Sequence, residues 1–147
     1  MITVHEVTPT ISTGIYAAGD ALGGLLEFEN VLSAFKSDGE IVGAVLIDDD
    51  TENAAIDLLL FDREITPTTD NDELDVSDAD LAHLIGKISF PAASYLSAKD
   101  NGICALELAV PIVLVDGGTS LFGLLKLEST PTYTAATDIT VKLFVNS

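Results

Sequence analysis

Cysteine, tryptophan and cationic side chains are what this sequence has least of. One cysteine, Cys104, stands in 147 residues. No disulfide can therefore form within the chain, and neither a thiolate metal cluster nor a CxxC motif can be assembled. Stability must come from packing or from association with other chains. Tryptophan is absent and aromatic residues are 6% of the chain, which leaves little from which to build a sugar-stacking platform. The Lys and Arg residues number six, Lys36, Arg63, Lys87, Lys99, Lys126 and Lys142, against 24 Asp and Glu, for a formal net charge of −18. Binding a phosphate backbone draws on clustered cations that displace counterions, and these stand singly, so nucleic acid is not an expected partner. An anionic membrane surface is disfavoured on the same ground. No apolar run approaches the ~18 to 20 residues of a membrane span, and Met1 to Val7 lacks the basic-then-apolar order of a secretory signal. The expectation is a soluble protein made in the cytoplasm.

What the chain does have is a hydrophobic content of 48% spread along its whole length, enough for one ordinary domain with a single core. Thr, Val, Ile and Leu dominate. The apolar stretches are short and broken by turn signals, which favours strands over helices. Asp138 to Val145 is the clearest strand, with Ile139, Val141, Leu143 and Val145 on one face. Leu121 to Glu128 is expected to pair with it in a hairpin across the Thr-rich segment that holds Pro131. Glu40 to Ile47 and Ala54 to Phe61 flank Asp48, Asp49 and Asp50, read as a polar hairpin tip. Ile2 to Val7, Ala21 to Phe28, Lys87 to Phe90, Ile103 to Val110 and Ile112 to Val115 complete the set, with Pro111 marking a bulge or an edge. The count of roughly eight short strands suits an all-β sandwich or jelly roll. One helix is expected near residues 78–85, with Ser77 as its cap, Val76 and Leu81 as a hydrophobic staple, and Gly86 as its stop. The chain reads as one domain, 1–147, in which residues 1–13 are either an extended N-terminal arm or an ordinary first strand.

Chemical signatures are sparse. Nucleophilic catalysis needs a base beside Ser, Thr or Cys, and the histidines are two, His5 and His83. Ser77, His83 and Asp80 can be written as a triad, but Ser77 is better explained as a cap. Cys104 lies in an apolar strand, where a buried inert thiol is expected. Asp70, Asp72, Glu73, Asp75, Asp78 and Asp80 offer hard oxygen ligands that suggest calcium. The EF-hand pattern fails, because Leu74 holds the third ligand position and neither the required Gly nor the closing Glu is in register. This stretch reads as a solvated acidic loop with a mobile tip. Gly14, Gly19, Gly23 and Gly24 match no phosphate-binding pattern, and Gly117 and Gly118 lack a following Lys, so these read as turn glycines. No catalytic residue, metal ligand or cofactor site is assigned.

Three blocks carry a family likeness: IYAAGDALGGLLEF at Ile15 to Phe28; AIDLLLFDR at Ala55 to Arg63 with LDVSDADLAHLIGKI at Leu74 to Ile88; and GGTSLFGLLKLESTPTYTAATDITVKLFV at Gly117 to Val145. On these the chain resembles the head decoration, or cement, proteins of tailed bacteriophages. The resemblance implies a jelly-roll-like β-sandwich without catalytic residues, bound to the exterior of an assembled icosahedral capsid. Its implied partners are the major capsid protein and its own copies in a homotrimer. Ile2, Val4, Val7 and Ile11, on the segment that could add a strand to a neighbour's sheet, are the expected oligomer or capsid contacts. A carbohydrate- or receptor-binding module on a virion shares the same sandwich and is the main rival. A calcium-dependent hydrolase or lectin using the Asp70 to Asp80 loop is a third reading.

Overall fold

Alternation decides what each strand buries. Ile139, Val141, Leu143 and Val145 are fully buried, while Thr140, Lys142 and Phe144 between them are half-buried on the other side, as expected of a strand with one face on a core. The computed structural model describes residues 1–147 and arranges strands of this kind in two antiparallel sheets. In chain order they are β1 (Ile2–Val7), β2 (Ala21–Phe28), β3 (Asp38–Asp48), β4 (Ile56–Phe61), β5 (Leu84–Phe90), β6 (Tyr95–Ser97), β7 (Gly102–Val113), β8 (Leu121–Leu127) and β9 (Ile139–Asn146). One sheet has the order β1-β9-β3-β7-β6 and the other β2-β8-β4-β5.

The pairing is nested: β1 with β9, β2 with β8, β3 with β7 and β4 with β5, all antiparallel. A long hairpin rolled on itself gives this connectivity, so the sandwich is a jelly roll, to which β6 adds a three-residue border strand on β7. The core lies between the sheets. Leu22, Leu26 and Phe28 from β2 and Leu58 and Leu60 from β4 meet Ile41, Ala44 and Leu46 from β3 within one buried cluster.

Several expectations change. β8 and β9 do not form a hairpin: β8 pairs with β2 and β4, whereas β9 pairs with β1 and β3. The Thr-rich connection crosses from one sheet to the other. Likewise Asp48 to Asp50 is not a hairpin tip, because β3 and β4 lie in different sheets, and Asp48 is fully buried. The helix is shorter than expected. It covers Asp78–Leu81, with the Ser77 side chain accepting from the Asp80 amide as foreseen. Leu84 to Gly86, expected to finish the helix, instead open β5 against β4, since pairing and burial outweigh local propensity. Leu81 is exposed, and Val76 packs toward the cluster of Phe61, Ile65 and Leu124.

Pro111 lies on an edge as foreseen. β6 pairs with β7 only at Gly102, Ile103 and Cys104, so the side of β7 away from β3 is open at Pro111. Leu114 directs its amide to Ser37, on the β3 side, and alternation places the donor that Pro111 lacks on the open side, where a proline is tolerated. β1 is a strand of the sandwich, paired with β9 from Ile2 opposite Asn146 to Val7 opposite Val141.

Candidate functional site

Carboxylates are numerous, and many of them are occupied by the chain's own amides. Asp48 accepts from the amides of Asp50 and Asn53 at 2.8 and 2.9 Å. Asp138 accepts from Ala135 at 2.9 Å, and the Thr134 amide is shared between Asp138 and Asp50 at 3.1 and 3.0 Å. Asp20 accepts from Ala17, and Asp80 from Thr66. These N–H groups lie in loops between strands, where side-chain oxygens satisfy them in place of a sheet partner. Burial pushes the Asp48 carboxyl above its usual range, although the amides it accepts from pull the other way.

The acidic stretch expected to be a mobile tip is tied down. Asp70 accepts from the Tyr16 hydroxyl and the Gly23 amide, while Asn71 and Asp72 exchange backbone hydrogen bonds with Ala21. Thr68 bonds both backbone groups of Asp75. No three His, Cys, Asp or Glu side chains anywhere in the chain converge into a group that could hold a metal ion.

The residues of the written triad are not brought together as one. Ser77 Oγ accepts the Asp80 amide at 3.2 Å, and His83 Nδ1 faces Asp62 Oδ1 at 3.4 Å. His5 bridges Thr3 Oγ1 and the Glu29 carbonyl. Cys104 is fully buried, and burial raises its thiol pKa. Gly117 adopts a positive φ of 73° as a turn glycine does, whereas Gly118 does not. No helix is long and apolar enough to cross a membrane.

What the structure does present is a contrast between its two outer surfaces. The outer side of the four-stranded sheet is partly covered by the chain's own β4–β5 connection: Ile65 is buried with Phe61 and Leu124, and Leu74 and Val76 pack against them, while Glu27, Lys87 and Ser89 on the same side stay exposed. The outer side of the five-stranded sheet has no such cover. Pairing sets Thr140, Ile47, Ile103 and Leu96 in one row across it. Lys142, Val45 and Ala105 form a second row, continued by Glu6, and Val4, Phe144, Gly43 and Glu107 form a third. Leu96 is 72% exposed and Val4 is 55% exposed. The register of β3 shifts against both neighbours between Ile41 and Gly43.

The four residues expected as contacts divide. Ile2 and Val4 point outward on this bare face, Val7 packs against the core, and Ile11 lies within it at 4% exposure. The assignment of Ile11 to a free surface is therefore corrected: its side chain is consumed by the sandwich. Sequence reasoning passed over Val45, Ile47, Phe144 and Leu96. A usable signal was present, since β3 is apolar on both parities, a pattern typical of strands covered on both sides.

Comparisons with known proteins add little to this geometry. No protein-family profile matches the sequence, and no curated protein matches it, so the likeness to decoration proteins is not backed by a family match. Among solved structures, a chain from the X-ray structure of tomato aspermy virus is similar over 99% of this chain and 75% of its own, with 9% identity and a TM-score of 0.41. A likeness that distant carries no functional argument.

Proposed function

We propose that this chain is a structural virion protein, without enzymatic activity, that decorates an assembled icosahedral capsid on its outer surface at capsomer junctions. The observation that carries the reading is the unequal treatment of the two sheets. One is partly covered by the chain's own loop, and the other is left bare, with exposed apolar side chains among polar ones. Exposed apolar side chains gathered on one uncovered sheet face suit contact with another macromolecule. A ligand fixed by a few convergent polar groups would instead call for a concave site. The resemblance noted in the three sequence blocks names the macromolecule as a capsid, with the major capsid protein as partner and a homotrimer as the form that binds.

The action would be mass action: a ligand that binds only the assembled shell stabilises it by an amount that grows with the logarithm of free ligand over Kd. The carbohydrate-binding alternative finds no tyrosine free to stack on a sugar, because Tyr16 and Tyr133 are buried and Tyr95 is half-buried with its hydroxyl donated to the Ala54 carbonyl, which leaves Phe35 as the one fully exposed aromatic ring. The test is co-sedimentation with matching shells stripped of this protein. Saturable binding, accompanied by a higher temperature of shell disruption, is expected. Absence of saturable binding rejects the reading.

A further inference from the structure

The bare face has a size and a charge that say more about its partner. Five strands at ~4.8 Å spacing, of 6, 8, 11, 12 and 3 residues at ~3.4 Å per residue, give a sheet area on the order of 650 Å². That is close to the ~800 Å² per partner of a standard protein interface. Its middle is mostly apolar, formed by Val45, Ile47, Phe144 and Ala105 with Lys142 beside Val45, and carboxylates stand around it: Glu6 on β1, Glu40 on β3 and Glu107 on β7, with Asp49 just past the end of β3. Lys142 is the cation among them, and it is already opposite Glu6. A second copy seated here would set carboxylates against carboxylates, and each copy brings a formal charge of −18.

We infer that the outer face of the five-stranded sheet is the docking surface, and that its occupant is a different protein, with an apolar contact patch rimmed by Lys and Arg. This inference rests on the decoration reading above for where that partner is found, and it adds the orientation. The five-stranded sheet lies against the shell, and the acidic loop over the other sheet faces solvent. Burying the apolar side chains of the middle supplies the attraction, while the carboxylate rim steers the approach and rejects a second copy of this chain.

The experiment measures affinity for stripped shells using the full chain, with Val4→Glu and Leu96→Glu as face variants at opposite borders, Glu107→Lys as a rim variant and Asp72→Asn as a control on the far side. The mutated side chains are exposed, and a thermal melt of each variant reports folding separately. The expected result is a loss of about tenfold or more for each face variant, a smaller loss for Glu107→Lys and no change for Asp72→Asn. Wild-type binding should also weaken as salt rises from about 0.1 to about 0.5 M, because an attractive rim is screened. Wild-type binding that is unaffected by Val4→Glu and Leu96→Glu overturns the inference and leaves the decoration reading standing. Binding that strengthens with salt overturns it by removing the cationic rim from the partner, and a wild-type dimer in sedimentation velocity that the face variants abolish overturns it by making the occupant a copy of this chain. Failure of the wild type itself to bind shells removes the decoration reading, and the inference with it.

Discussion

The hydroxyl of Tyr16 donates to Asp70 Oδ1 at 2.7 Å, joining residues 54 positions apart, and the same oxygen takes the Gly23 amide at 2.6 Å. Tyr16 is fully buried and accepts in turn from the Ser12 amide at 2.7 Å. One carboxylate thus fastens the loop over the four-stranded sheet to β2 and to the segment before it. Burial, then the bond to Asp70, pushes the Tyr16 hydroxyl pKa well above its ordinary value.

Asp70→Ala leaves two donors without an acceptor. Hydrogen bonds to charged groups contribute roughly 1.5 to 3 kcal/mol each, and the losses overlap, so a destabilisation of about 2 to 3 kcal/mol is expected. Urea unfolding measures it. An unchanged midpoint would show that water replaces the carboxylate without penalty and that the loop is not fastened there.

Asp48 governs a pH dependence. Its carboxyl is raised from an ordinary value of 3.8 by burial, against the opposing bonds from the amides of Asp50 and Asn53. The folded state therefore holds this proton to a higher pH than the unfolded state does. Its contribution to stability is complete below the unfolded value and is lost as pH rises through the folded one. Asp48→Asn does not titrate. The stability of the wild type relative to this variant should fall as pH rises from about 3.5 and level off once the folded carboxyl has ionised. Urea midpoints of both proteins across that range decide the sign, and a relative gain with rising pH contradicts it.

Strand positions were legible because period-two patterning is local. Ile2 to Val7 and Ala21 to Phe28 fall where alternation and turn signals put them. Partners were not legible. The segment between Leu127 and Ile139 has the length and residues of a hairpin loop, yet it crosses between sheets. Alternation tells which face of a strand is buried without telling in which sheet. The acids were misread for a related reason. A carboxylate next to unpaired loop amides looks, in sequence, like a solvated one, although the i to i+2 spacing of Asp48 and the Asp50 amide is that of an Asx turn. The bare outer face of the five-stranded sheet was not legible as a unit, because Val4, Phe144 and Leu96 come to share it only through strand pairing.

Cys104 should behave as an inert thiol. It is fully buried opposite Tyr95 of β6, and desolvation raises its pKa, so the thiolate that reacts with disulfide reagents is scarce. Modification by an aromatic disulfide reagent should be negligible in the native protein and complete in denaturant. Fast, stoichiometric reaction of the native protein would show that the β6 border opens readily.

Ile65 tests whether the β4–β5 connection covers its sheet or merely passes over it. Its side chain is 5% exposed and packs with Phe61 and Leu124, which are 0% and 1% exposed. A side chain that seals these groups cannot be shortened without leaving a cavity, and Ile→Ala changes at such sites cost about 2 to 5 kcal/mol. Ile65→Ala is expected toward the lower part of that range, because Leu74 and Val76 border the cluster and can relax into the space. Chemical denaturation gives the size, and binding of a hydrophobic dye reports whether the sheet face has become accessible. A loss under about 0.5 kcal/mol, the scale of an ordinary surface substitution, would mean that Phe61 and Leu124 are sheltered by other means. The contrast between a partly covered and a bare sheet, from which the docking face is proposed, would then lose its footing.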